Sequence, residues 1–210
     1  MSREFILGRV RSALGRKPGQ MVPPPPPVWL LETDWTMEQK LASFKEKLER
    51  LAGVVHVAGS AAEACEIVAG IIAGKTAVAS NAALLAELGI TSLPGVTVAG
   101  HDREHSRTLC AECNFGITGA ALALAETGSL VMRANSEEAR LISLLPPIHI
   151  AVVRKEQLLV DLDELLRKIP KPVEDSSSMV LITGPSRTGD IEQILVRGVH
   201  GPGVVHAVFL

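Results

Sequence analysis

From Thr36 to Leu210 short apolar runs alternate with segments of helical periodicity, and that alternation leaves few folds open. The runs VVHVA (54–58), TAVAS (76–80), VTVAG (96–100), IHIAVV (148–153), SMVLIT (178–183) and VVHAVFL (204–210) read as strands buried on both faces. Thr36-x-x-Gln39 and Ser60-x-x-Glu63 are capping boxes, in which the N-cap hydroxyl and the N3 side chain satisfy each other's backbone amides. The first opens a helix with Met37, Leu41, Phe44, Leu48 and Leu51 on one face, stopped by Gly53. The second helix carries Ala64, Cys65, Val68 and Ile71. NAALLAELG (81–89), LLVDLDELLRKI (158–169) and DIEQILVR (190–197) read as further helices. Asn135-x-x-Glu138 reads as the cap of a helix over EEARLISLL (137–145), and HDREHSRTLCAEC (101–113) as a polar loop. The expected class is α/β, a mostly parallel sheet covered by helices on both faces.

Ahead of this body, residues 2–14 place Phe5, Ile6, Val10 and Leu14 on one side of a helix, with Arg3, Arg9 and Arg11 elsewhere. Pro23 to Pro27 then allow only extended or polyproline conformation. The expected organisation is an N-terminal helix on a Pro-rich tether, residues 1–28, followed by one α/β domain, residues 29–210. A spacer is the ordinary reading of five bare prolines, and a ligand for a proline-reading domain the sharper one. A net charge of −2 gives no broad face for nucleic acid or anionic membrane. No apolar run reaches the ~18 residues of a membrane span, and the first residues lack the apolar stretch of a signal peptide. The cytoplasm is the expected compartment.

Three cysteines, Cys65, Cys110 and Cys113, cannot build a disulfide framework or supply the four thiolates of an ordinary iron–sulfur cluster. His101, His105, Cys110 and Cys113 put four potential zinc ligands within one short segment. Their spacing is none of the usual finger patterns, so exposed histidines and buried cysteines are the ordinary reading and no metal is expected.

Sites in covered parallel sheets form where strands run out into loops. Glu126-Thr127-Gly128-Ser129 precedes a strand-like LVM, and Thr183-Gly184-Pro185-Ser186-Arg187-Thr188-Gly189-Asp190 lies between a strand and an expected helix. The two loops are expected to line one pocket. There Ser129, Ser186, Arg187 and the 184–189 amides would touch an anion, with Thr127, Gly128, Thr183, Gly184 and Thr188 beside them. Glu126 is the candidate acid/base, Asp190 a group that orients a hydroxyl, and His200 a second proton donor. The ordinary alternatives are a tight turn at Gly128, a salt bridge for Glu126, and capping by Asp190 and His200. His149, within PPIHIAVV, reads as a buried, hydrogen-bonded strand histidine. Neither a Walker loop nor a dinucleotide fingerprint is present, and no motif identifies a cofactor.

AETGSLVM (125–132), LLPPIHIAVV (144–153), LITGPSRTGDIEQILVRGVHGP (181–202) and the terminal VVHAVFL resemble, in order and spacing, the LUD-domain family of lactate utilization proteins. FILGRVRSALGR (5–16) with its following prolines is similar to the N-terminus of the LutC/YkgG type, lactate utilization protein C. The resemblance covers nearly the whole chain and is closest over 115–210. It implies a fold of the NagB/RpiA/CoA-transferase type and participation, with two iron–sulfur partner proteins, in oxidising L-lactate to pyruvate. The 101–113 segment belongs to no motif of that family.

Two functions follow. In one, the chain is a component of an oxidising system, binding a small carboxylate, a phosphorylated ligand or an organic cofactor while iron–sulfur partners carry electrons. In the other it is a stand-alone enzyme of the sugar-phosphate isomerase or CoA-transferase type. Turnover of a carboxylate or CoA ester by the purified chain alone discriminates between them.

Overall fold

The computed structural model describes residues 2–17, 19–21, 34–100, 102–188 and 196–210. The chain falls into two compact units, Met1–Glu32 and Thr33–Leu210. In the first, helix α1 (Arg3–Ala13) is capped by the Ser2 hydroxyl, which accepts from the Phe5 amide at 3.3 Å. Its Phe5, Ile6, Val10 and Leu14 are all exposed. The proline run 23–27 lies outside the described residues.

The second unit opens with α2 (Met37–Arg50), where the expected capping box is present, Thr36 and Gln39 bonding each other's amides at 2.8 and 3.3 Å. There follow β1 (Val54–Val57), α3 (Ala61–Ile72), β2 (Ala77–Ala79), α4 (Ala83–Glu87), β3 (Val96–Val98), α5 (Arg103–Glu112) and β4 (Phe115–Gly119). Next come β5 (Leu122–Leu124), β6 (Ser129–Ala134), β7 (Ile148–Val153), β8 (Leu158–Leu159) and α6 (Leu162–Lys168). The chain ends with α7 (Pro172–Asp175), β9 (Ser178–Ile182), β10 (Arg187–Thr188), β11 (Val196–Arg197) and β12 (Val204–Phe209).

The main sheet runs β1-β12-β7-β4-β2-β3 with every pairing parallel. The alternation of side chains along a strand divides its residues between two cores. On one face Ile117, Ile150, Val152 and Val208 pack with Ala64, Val68 and Ile72 of α3 and Leu85 of α4. On the other, Ala151, Val205, Ala207 and Phe209 meet Phe44 and Leu48 of α2. Phe44 and Phe209 stand edge to face, ring centroids 4.9 Å apart. Phe44 and Leu48 are fully buried, each contributing about 1.5–3 kcal/mol of apolar burial.

The α/β class and the mostly parallel sheet are as the sequence predicts, but helices do not cover both faces alone. Over the α2 face lies a second sheet, β8-β5-β6-β9, whose β5–β6 and β6–β9 pairs are antiparallel. Its inner side gives Ala123, Leu130, Met132 and Leu158 to the shared core. Its outer side packs Leu122, Leu124 and Val131 against Leu165 of α6.

Four local expectations change. Residues 103–112 form a helix, not a loop: Asp102 caps it by accepting from the Glu104 amide at 3.0 Å, and Ser106 and Cys110 form its buried stripe. The expected helix over 137–145 reduces to a single 3-10 turn, Arg140–Ser143. That turn packs directly on β4, where a Cβ on Gly116 would stand 1.9 Å from the Ile142 carbonyl oxygen. Leu158 and Leu159 belong to β8, and α6 starts only after its Asp161 cap. Residues 189–195 lie outside the described residues, and Val196–Arg197, the end of the expected 190–197 helix, is strand paired antiparallel with Arg187–Thr188.

The connections define one special place. β2 and β4 are neighbours. From β2 the chain passes through α4, on one face, to the edge strand β3; from β4 it crosses to the second sheet, on the other face, before returning as β7. Connections that leave adjacent parallel strands in opposite directions open a crevice at their C-terminal ends.

Candidate functional site

The 126–129 and 183–188 loops do approach each other. β6 pairs with β9 in a register that sets Leu130 opposite Ile182. One residue outward, Ser129 Oγ shares hydrogen bonds of 2.7 Å with both Thr127 Oγ1 and Thr183 Oγ1. Ser129 is buried, while Thr127 and Thr183 are exposed. Gly128 and Gly184 face the last turn of α2: a Cβ on Gly128 would stand 2.7 Å from the Leu48 amide, and one on Gly184 3.1 Å from the Leu51 Cβ. The Arg187 guanidinium donates to the Leu51 carbonyl. The Ser186 amide donates to Pro202 O at 2.8 Å, and its carbonyl accepts from Gly198. Thr188 is half-buried in the β10–β11 pair.

Glu126 is exposed, its amide bonded to Val160 O at 2.9 Å. Asp190 lies outside the described residues. His200 is exposed in the turn between β11 and β12, so it follows a strand and not the C-terminus of a helix as expected. Likewise Ser186 and Arg187 lead into a strand, and no helix N-terminus stands behind them among the described residues. None of the described residues among these lines the cavities at the β2–β4 crevice.

That crevice collects groups which sequence reasoning did not assign to a site, Asn135 and Glu138 having been read as a helix cap. A cavity of about 250 Å³ is lined by Ala82 beyond β2, Gly119 at the end of β4, and Arg133, Asn135, Glu138 and Gln157. Glu138 Oε1 accepts the Gly119 N–H at 2.7 Å, across the mouth of β4. Burial pushes its pKa up to about 7, the nearby Ser80 hydroxyl and the Gly119 N–H pull it back, and Glu137 adds to the rise. Glu138 Oε2 is buried and completes no hydrogen bond of good geometry among the described residues. The segment carrying Glu138 is pinned by Asn81, whose amide donates to Glu137 O at 2.9 Å, and by Asn135, whose Oδ1 accepts from the Glu137 and Glu138 amides at 2.8 Å each. Asn135-x-x-Glu138 is therefore a capping arrangement, as the spacing suggests, on a turn that delivers a carboxyl to the crevice. The signal available in the sequence was the strand-end rule applied to Ser80-Asn81 and Thr118-Gly119.

Beneath the crevice, His149 is fully buried and hydrogen-bonded, as expected of a strand histidine: its Nε2 lies 2.8 Å from Thr118 Oγ1. Burial lowers its pKa to about 4, with His206 adding to the drop. His206 is likewise lowered to about 4 by burial and by His56, which it meets at 3.1 Å. Cys110 and Cys113 pack with Val78, Ala99 and Ile142, and burial raises both thiols, Cys110 to about 11. His105 is exposed on α5, and His101 lies outside the described residues.

The LUD domain model matches residues 41–210. The chain belongs to the LUD domain family. Among relatives of this LUD protein, one named lactate utilization protein C from Geobacillus thermodenitrificans is 27% identical over 222 residues, covering 96% of this chain and 92% of its own. Others of that name align over shorter stretches: that of Deinococcus radiodurans is 36% identical over 41% of each chain. That of Bacillus subtilis is 39% identical over 43% of this chain and 40% of its own. The first relatives are thus matched over about two-fifths of their length. A crystal structure of a DUF162 family protein from Deinococcus radiodurans superposes with a TM-score of 0.64 at 20% identity, covering 83% of this chain and 98% of that one, which establishes the fold. No helix among the described residues is long and apolar enough to cross a membrane.

Proposed function

We propose that this LUD protein is a component of a cytoplasmic system that oxidises L-lactate to pyruvate, working beside iron–sulfur partner proteins and binding a small carboxylate or organic cofactor. The supporting observation is the correspondence with relatives named lactate utilization protein C along essentially the whole chain, in Geobacillus thermodenitrificans and at 29% identity in Bacillus mycoides. Converting a 2-hydroxy acid to a 2-keto acid releases two electrons and two protons. Three cysteines, two of them buried in an apolar cluster, make this chain a poor conduit for the electrons, which fall to the partners. The protons are another matter. A carboxyl whose pKa sits near neutrality is matched to taking a hydroxyl proton, and Glu138 is such a group in a cavity that also holds the fixed charge of Arg133. Arg133 then receives the carboxylate, Glu138 takes the hydroxyl proton, and the C2–H bond gives up its electron pair and proton toward the partner proteins.

The test is growth. A strain lacking this chain grows normally on pyruvate and poorly on L-lactate, and the wild-type gene restores it. Equal growth on both removes the lactate role. Complementation with Glu138→Gln fails while Glu126→Gln succeeds if the crevice is the site, and the reverse result moves the site to the 126–129 loop. Turnover of a sugar phosphate or CoA ester by the purified chain alone would favour a stand-alone enzyme.

A further inference from the structure

A second cavity of about 570 Å³ adjoins the crevice, sharing Asn135 with it. One wall is Gly100 with the first turns of α5, presenting Arg103 and Ser106. The other is the segment running from Asn135 into the Arg140–Ser143 turn, presenting Arg140, Leu141 and Leu144. We propose that this cavity is a binding site for a phosphate ester of an organic molecule, its phosphate held between Arg103 and Arg140 and its organic body lying on Leu141 and Leu144.

Three features carry the assignment. The first is charge. Among the described residues the lining contains two guanidinium groups and no acidic side chain, and neither arginine has an ion pair. Asp102, the acid next to Arg103, is occupied in capping α5 through the Glu104 amide. Two guanidinium forks suit a doubly charged, multi-oxygen phosphate better than a single carboxylate.

The second feature is the disposition of neutral polar groups. Ser106 spends its hydroxyl proton on Gly100 O at 2.9 Å, and Asn135 spends its oxygen on two backbone amides. Ser136 turns its hydroxyl proton to Glu137 Oε1 at 3.3 Å, which leaves the Asn135 side-chain NH2 as a neutral donor for an anion. The third feature is size. Pockets of roughly 300–1,000 Å³ hold drug-sized molecules, and a three-carbon acid would leave most of this one empty. Leu141, Leu144 and Ala139 supply the apolar surface that an organic body covers. The proposal does not depend on the lactate reading, since growth tests one and ligand binding the other.

Calorimetric titration of the full chain tests it, with FMN and AMP as phosphate-ester probes, riboflavin and adenosine as their phosphate-free counterparts, and inorganic phosphate as the bare anion. At least one ester binds, its phosphate-free counterpart binds at least about tenfold more weakly, and Arg103→Gln and Arg140→Gln each cost a similar factor. Arg140→Lys, which keeps the charge but loses the fork, recovers part of the loss. Both arginines are exposed, so the variants melt with the parent protein, which separates lost binding from lost folding. Absence of binding by both esters, or binding that survives the double Arg→Gln change, overturns the site. Inorganic phosphate binding as tightly as the esters overturns the organic part of the proposal.

Discussion

Ser129 Oγ lies 2.7 Å from Thr183 Oγ1, joining the hairpin that precedes β6 to the loop that follows β9. Ser129 also reaches Thr127 Oγ1, so one buried hydroxyl ties together two loops that are 54 residues apart in sequence. A buried hydrogen bond of this kind contributes about 1 kcal/mol net, and stranding one partner costs more. Ser129→Ala therefore lowers stability by about 1–2 kcal/mol, measured by urea unfolding. Thr183→Val costs less, and the double variant less than the sum, since both remove the same bond. Strict additivity would mean that the two hydroxyls are independent.

Gly128 answers to two constraints at once. Its φ of 65° is in the left-handed region, and a Cβ there would stand 2.7 Å from the Leu48 backbone nitrogen. The neighbour is helix backbone in the last turns of α2, which cannot rotate away as a side chain tip could. Gly128→Ala should cost about 2 kcal/mol or more, from positive-φ strain plus displacement of α2. Thr127→Ala, at an exposed position one residue earlier, should change stability by roughly half a kcal/mol or less. Similar melting temperatures for the two variants would show that the α2–hairpin contact yields freely.

What the sequence disclosed, and what it hid, follows from the range of the interactions. The Thr36–Gln39 capping box and the strands over 148–153 and 204–209 are local signals, and the fold uses them as written. The second sheet escaped because Leu122–Leu124 and the first half of β6 are buried on both faces and show no alternation. α5 escaped because its buried stripe is made of Ser106 and Cys110, residues that do not advertise an apolar face. The meeting of Thr127, Ser129 and Thr183 was legible from strand-end reasoning. The crevice was not, because what sets Glu138 apart is its burial against Gly119, 19 residues away, on a strand whose neighbour is known only from topology.

The N-terminal helix gives a prediction about assembly. Phe5, Ile6 and Val10 lie on α1 and Leu14 at its C-cap, all are exposed, and Met1–Glu32 and Thr33–Leu210 are two compact units. A chain lacking residues 1–28 should fold with an unchanged circular dichroism spectrum and a melting temperature within a few degrees of the parent. Its affinity for the iron–sulfur partners proposed above should fall, since an exposed apolar helix face is suited to docking on another chain. Failure of the truncated body to fold would make the helix part of the core.

The pH dependence of stability separates Glu138 from the histidines, because their shifts act in opposite directions. Glu138 is raised from an ordinary 4.5 to about 7. Between those values the folded state binds a proton that the unfolded state has released. Its contribution is therefore full below pH 4.5 and is lost as the pH rises through 7, a change of about 2–3 kcal/mol. His149 is lowered from 6.5 to about 4 by complete burial. Its contribution is full above 6.5 and is lost as the pH falls through 4, when the unfolded state takes the extra proton. In the parent protein the Glu138 slope opposes those of His149 and His206 between about pH 4.5 and 6.5, so stability there rises less steeply than the two histidines alone would make it. Glu138→Gln keeps an acceptor for the Gly119 amide and removes the ionisation. It should stabilise the protein at pH 8, leave it unchanged near pH 4.5, and leave a profile that rises steadily from pH 4.5 to 6.5. Guanidinium unfolding at half-unit pH steps measures this. A Glu138→Gln profile parallel to that of the parent would show that Glu138 ionises as an ordinary surface carboxylate, and would remove it as the proposed proton acceptor of the crevice.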